Sequence, residues 1–177
     1  AMETNGQSLV DGLQNLMTDL EKGRITMTDE SAFVLGENIG VSEGSVVFRN
    51  HLFELIQYSP STETVHQRPL LIVPPCINKF YILDLQPQNS YVKWCVDQGN
   101  TVFLISWANT TPDYSHIGWD DYVQDGIFEA TRVVKEITGE KKMSAVAWCI
   151  GGTILGSALG VMQKQRDTTI ASATFLT

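Results

Sequence analysis

Cysteine is scarce in this sequence, basic residues are outnumbered and no long apolar run occurs, and each shortage closes off a class of protein. Cys76, Cys95 and Cys149 are its three cysteines. None forms a CxxC pair or a Cys/His spacing suited to zinc, so no resident metal or disulfide framework is expected and the thiols read as free in a reducing cytosol. Lys and Arg number 12 against 20 Asp and Glu, a formal net charge of −8. That balance argues against a nucleic-acid or anionic-membrane surface, which would need a basic patch that no segment provides. No uncharged stretch approaches about 18 residues, so no transmembrane segment is expected. The opening Ala1-Met2-Glu3-Thr4 has no basic stretch leading into an apolar core, so no secretory signal is expected. Internal repeats and low-complexity tracts are also missing.

What is present is ordinary globular material. A length of 177 residues suits about one domain. Leu9, Val10, Leu13, Leu16, Met17 and Leu20 recur at helical spacing before Gly23, which predicts an amphipathic helix packed onto the core. A polar connection follows, and residues 1–45 read as an N-terminal helix and connection ahead of the N-terminal part of a domain over 46–177 that is incomplete at its C-terminus. Val46–Phe48 and Leu52–Tyr58 read as a hairpin turning at Arg49-Asn50-His51. Leu70–Val73 and Thr101–Trp107 are continuous apolar runs of the kind a two-side-buried parallel strand needs. Helices are predicted from about Ser90 to Gln98 and from Trp119 to Gly139, the latter with a buried stripe of Val123, Ile127, Ala130, Val134 and Ile137. Strand Met143–Trp148, a helix through Ile154, Leu155, Ala158, Leu159 and Met162, and strand Ile170–Thr177 complete the alternation. Strands and helices in this order imply an α/β fold, a mostly parallel sheet with helices on both faces.

The stretch Ala147-Trp148-Cys149-Ile150-Gly151-Gly152 carries the chemistry. A strand runs into a reactive residue type and then into a glycine pair, the layout of the nucleophile elbow of an α/β hydrolase. Cysteine stands where serine is usual, and Ala147 where the pattern has its first glycine. The alternative is a structural cysteine at a strand end, because free cysteine packs as a small hydrophobe. If Cys149 is a nucleophile, it needs donors for a tetrahedral oxyanion. One is the backbone N–H of Ile150; the other comes from the loop after an earlier strand. Pro74 and Pro75 have no N–H, so that loop's first donors are Cys76 and Ile77.

A base is harder to find. Chain order in this fold is nucleophile, acid, histidine, yet His51, His66 and His116 all precede Cys149. Asp167 follows it, but at the far end of the elbow helix, where a solvent-facing position is expected. The sheet would also break off on a strand. Acid and base are therefore expected beyond Thr177, with only the first part of an α/β-hydrolase fold in these residues. Cys95, beside Trp94 and Val96, reads as core, and Lys79 as a solvated loop lysine.

The run Pro74-Pro75-Cys76-Ile77-Asn78-Lys79-Phe80-Tyr81-Ile82-Leu83-Asp84-Leu85-Gln86-Pro87, the strand Val102–Trp107 and the cysteine-containing box at Cys149 together resemble the polyhydroxyalkanoate synthases. These bacterial enzymes polymerise 3-hydroxyacyl-CoA. The resemblance runs from about Leu9 and is closest to the short-chain, single-subunit type. It implies that Cys149 carries the acyl group and that an Asp and a His lie further along. It also implies a 3-hydroxybutyryl-CoA type substrate, no cofactor beyond that coenzyme A thioester, a homodimer, and a cytoplasmic enzyme associated with polyester granules. Thioester exchange on cysteine is nearly balanced in energy, so the acyl group stays activated for its next transfer; water must be kept out under a lid. Two other readings stand beside this one: a cysteine hydrolase or thioesterase on the same fold, and a non-catalytic fragment whose Cys149 is a buried structural residue.

Overall fold

A computed structural model describes residues 2–176. The elements are α1 (Gln7–Lys22), β1 (Gly44–Arg49), β2 (Phe53–Tyr58), β3 (Leu70–Val73), α2 (Tyr91–Asp97) and β4 (Val102–Trp107). Then come α3 (Trp119–Asp121), a π-helical stretch (Tyr122–Phe128), α4 (Glu129–Thr138), β5 (Met143–Trp148), α5 (Ile150–Gln165) and β6 (Ile170–Leu176), with three short 3-10 turns between β3 and α3.

The strands form one sheet in the order β1-β2-β4-β3-β5-β6. β1 pairs antiparallel with β2, and β2 with β4, while β3–β4, β3–β5 and β5–β6 are parallel. This mixed sheet with an antiparallel hairpin at its edge is the α/β-hydrolase arrangement. Side chains alternate across it. Phe103, Ile105, Leu71, Val73, Ala145 and Ala147 face one way, against Ile127, Val134, Ile154 and Leu155 of the π-helical stretch, α4 and α5. Leu70, Ile72, Val102, Leu104 and Val146 face the other, against Val92, Cys95 and Val96 of α2. Cys95 is thus core, and helices cover both faces.

Local chemistry explains the turns. The Asn50 amide oxygen accepts from the backbone N–H groups of Leu52 and Phe53 at 2.8 and 2.9 Å, closing the hairpin where the sequence predicts it. Ser90 caps α2 by accepting from Lys93 N–H at 2.8 Å and donates to the Asp84 carboxylate at 2.6 Å. The same buried carboxylate accepts from Ser42 N–H and Ser42 Oγ, and the Asp84 carbonyl accepts from Gly40 N–H, so the connection before β1 is tied to the loop between β3 and α2.

Two expectations fail. α1 forms over the anticipated residues but packs on nothing described: Leu9, Val10, Leu13, Leu16, Met17 and Leu20 are all more than half exposed. Its ladder is closed instead by a C-terminal cap at Gly23 and by Glu30, which pairs with Lys22 and Arg24. Ile137 is also exposed, while Thr131 and Val133 are buried. Val123, Ile127, Ala130 and Val134 keep the expected stripe through the π-helical stretch, so the departure at Ile137 is confined to the last turn of α4. No described helix is long and apolar enough to cross a membrane.

Candidate active site

β4 lies on one side of β3 and β5 on the other, so the chain reverses its direction of progress beside β3. Crevices at such switch points, outside the carboxyl ends of the strands, are where ligands bind in open α/β sheets. The loops after β3, β4 and β5 begin at Pro74, Ala108 and Cys149 and meet at this edge.

Cys149 occupies the turn from β5 into α5 with φ 52° and ψ −126°. A non-glycine residue there is strained by roughly 1–3 kcal/mol and persists only when its surroundings dictate it. They do so here on both sides. Cys149 N–H donates to the Leu176 carbonyl of β6 at 2.8 Å, and its own carbonyl accepts from Gly152 N–H at 2.8 Å. A Cβ at Gly151 would stand 2.4 Å from the Val73 carbonyl oxygen and 2.8 Å from that of Pro74, so only glycine lets the elbow approach β3 so closely. Ala147 keeps its methyl in the core. The outcome is an exposed thiol at the head of a 16-residue helix, which contradicts the reading of Cys149 as a buried structural residue.

Ile150 and Gly151 are the first residues of α5, with N–H groups that have no intrahelical acceptor. Through Gly151 they lie against Val73 and Pro74, directly before the loop that carries Cys76 and Ile77. The Cys76 and Ile77 N–H groups make no hydrogen bond to another described residue; the next one, Asn78 N–H, donates to the Pro75 carbonyl at 3.3 Å. Cys76 is half-buried, and burial pushes its thiol above the ordinary range, whereas Ile77 is exposed. Of these two thiols, Cys149 is the exposed one.

An open cleft of about 400 Å³ continues from this loop, walled by Cys76, Lys79, Trp107, Asn109 and Tyr122 among others. Lys79 donates to the Asn109 amide oxygen, so the loop lysine is tied to the loop after β4. Trp107 is buried at the end of β4, donates its indole N–H to the Pro74 carbonyl at 2.8 Å, and meets Tyr122 edge-on at 5.2 Å between ring centres. Sequence reasoning missed Trp107 and Tyr122 as wall residues. The available signal was an aromatic with a polar handle closing a buried strand at its carboxyl end.

The histidines are elsewhere. His51 faces Asp125 at 3.6 Å, with both side chains about half exposed; His66 Nε2 lies 3.1 Å from the Gln98 carbonyl; and His116 ends a 3-10 turn. None contacts Cys149 among the described residues. Asp167 is exposed beyond α5 and accepts from Thr169 N–H and Oγ1, bonds that hold its carboxyl below the usual range. No cluster of three metal-ligating side chains gathers among the described residues.

The family model described as "Poly-beta-hydroxybutyrate polymerase (PhaC) N-terminus" matches residues 1–95, more than half of the chain. The chain belongs to this PhaC family. A Poly(3-hydroxyalkanoate) polymerase subunit PhaC of Cupriavidus necator is 51% identical over 178 residues, covering 99% of this chain and 30% of the relative. The Poly(3-hydroxyalkanoate) polymerase of Methylorubrum extorquens is 47% identical over 99% of this chain and 30% of its own length. The Rhizobium etli PhaC subunit is 44% identical over 98% and 28%. The chain thus spans about 30% of the length of the PhaC relatives it matches. Among solved structures, ESTFA in its iron-lacking apo form aligns with TM-score 0.50 and 10% identity over 93% of this chain and 52% of that one; at that identity the likeness concerns fold alone.

Proposed function

We propose that Cys149 carries the growing acyl chain in the polymerisation of (R)-3-hydroxyacyl-CoA, of the 3-hydroxybutyryl type, with release of coenzyme A. The observation that carries this reading is the strained, exposed Cys149 at the N-terminus of α5, in a chain of the PhaC family. The thiolate Sγ attacks the thioester carbonyl carbon and the carbonyl becomes an oxyanion. Collapse breaks the bond to the coenzyme A sulfur, which leaves and takes up a proton. One thioester replaces another, so the acyl group remains activated for attack by the 3-hydroxyl of the next unit. Backbone N–H groups of Ile150 and of Cys76 or Ile77 receive the oxyanion.

The histidine that would form the thiolate, and the acid that would orient it, belong in this reading to residues outside this chain. A homodimer working at a polyester granule in the cytoplasm goes with the same reading. It is supported by the likeness to the short-chain, single-subunit synthases.

The test is the intact denatured mass of the whole gene product before and after incubation with 3-hydroxybutyryl-CoA. Hydroxyacyl additions that map to Cys149 and vanish in Cys149→Ala are expected. Adducts or turnover that survive Cys149→Ala would sink the proposal. Free 3-hydroxy acid in place of polymer would transfer the site to the thioesterase reading.

A further inference from the structure

We infer that Trp107 is a positioning residue that sets the Cys76 N–H of the oxyanion site by clamping the Pro74 carbonyl. The inference rests on the role of Cys149 proposed above and assigns to that reaction a side chain outside the nucleophile elbow.

The Pro74 carbonyl is held from two directions. The Trp107 indole N–H donates to it at 2.8 Å, and on another side the backbone at Gly151 comes so close that an added Cβ would lie 2.8 Å away. That carbonyl belongs to the peptide joining Pro74 to Pro75. The Pro75 ring locks φ, so one soft rotation, ψ of Pro75, separates the clamped carbonyl from the peptide plane that bears the Cys76 N–H. The second plane is restrained at its other end, where Asn78 N–H donates to the Pro75 carbonyl. In a trans peptide the N–H points opposite to its carbonyl. Fixing the Pro74 and Pro75 carbonyls therefore fixes the aim of Cys76 N–H.

The molecule also spends structure on the indole itself. A Cβ at Gly126 would stand 2.8 and 2.9 Å from Trp107 ring carbons, so the π-helical stretch carries a glycine where the ring presses against it. Phe53 and Tyr122 meet the ring edge-on at 6.1 and 5.2 Å between centres. Filling this space needs only an apolar bicyclic ring of the indole's shape, such as benzothiophene. What tryptophan adds is one directed donor.

The experiment compares two reactions at Cys149 in the intact gene product. Acylation by 3-hydroxybutyryl-CoA develops an oxyanion; alkylation by iodoacetamide does not. Each rate is read by peptide mass at Cys149 in wild type, in Trp107→Phe, and with residue 107 replaced by benzothienylalanine, which keeps the indole shape but has sulfur for N–H. The expected result in both variants is acylation slowed about 10- to 100-fold, as for a displaced oxyanion donor, with alkylation within twofold of wild type. Acylation that stays near the wild-type rate, or falls in step with alkylation in the benzothienyl variant, overturns the role of Trp107. A wild-type protein that alkylates at Cys149 but never acylates there overturns the Cys149 reading, and this one with it.

Discussion

α1 and α5 are both 16-residue helices with a repeating apolar face, and they meet opposite fates. Among the described residues α1 buries no side chain, whereas α5 buries Gly151, Ile154, Leu155, Ala158 and Met162 against the sheet. The α1 stripe is the cleaner helical pattern, set off by charged residues on the other side, while α5 is apolar around much of its circumference. Periodicity thus announces that a helix has a face to bury. It does not say that a partner for that face lies in the same stretch of chain. What distinguishes α5 is its attachment: β5 enters it through Cys149, β6 follows it, and Gly151 sits against the carbonyls of Val73 and Pro74.

The sharpest way to break this contrast is at that attachment. Gly151→Ala in the intact protein places a methyl group on two backbone carbonyls that cannot rotate away, so unfolding free energy should fall by about 4 kcal/mol. Acylation of Cys149 should fall with it, because the elbow must lift away from β3. Urea denaturation read by circular dichroism measures the first effect and peptide mass the second. A variant as stable as wild type would mean that the close approach at Gly151 contributes nothing.

A matched pair of truncations tests the helices themselves. Leu155→Ala removes a fully buried side chain, and core truncations of this kind cost about 3 kcal/mol. Leu13→Ala removes one that is 63% exposed, and should change stability by less than about 0.5 kcal/mol. Equal losses in urea denaturation would show that the α1 stripe is packed in solution as tightly as the core.

The same contrast marks how far sequence could reach. Leu70–Val73 and Val102–Trp107 were legible as buried strands because no polar residue interrupts their apolar centres. The elbow was legible because glycine at 151 and a small residue at 147 have few alternatives beside a strand end. The exposure of Ile137 was not legible, since helical spacing does not tell where the neighbouring elements stop covering a face. The anchoring of Asp84 by Ser42 and Ser90 was hidden for a similar reason: the partners are 42 and 6 residues away and became neighbours only through the fold. Under the role proposed for Cys149, a base could not be read from the sequence, since His51, His66 and His116 all precede it.

The smallest expected effect concerns how the two helices end, because both finish in a similar carboxylate knot. Asp19 accepts from Thr26 N–H and Oγ1, and Asp167 from Thr169 N–H and Oγ1, and these bonds hold both carboxyls below the usual range. A carboxyl with a lowered folded pKa contributes stability that is present above its unfolded value of about 4, and is lost as pH falls through the folded value. The knots differ in what they hold. Thr169 is buried and its carbonyl accepts from Met143 N–H at the start of β5, whereas Thr26 follows a helix with no buried side chain. Urea midpoints taken between pH 6 and 3 should therefore fall less steeply with acid in Asp167→Asn than in wild type. Asp19→Asn should leave that slope unchanged and alter only the helical signal of the folded state. Equal flattening by both variants would mean that α1 unfolds together with the sheet, and that its open face hides a coupling to the core.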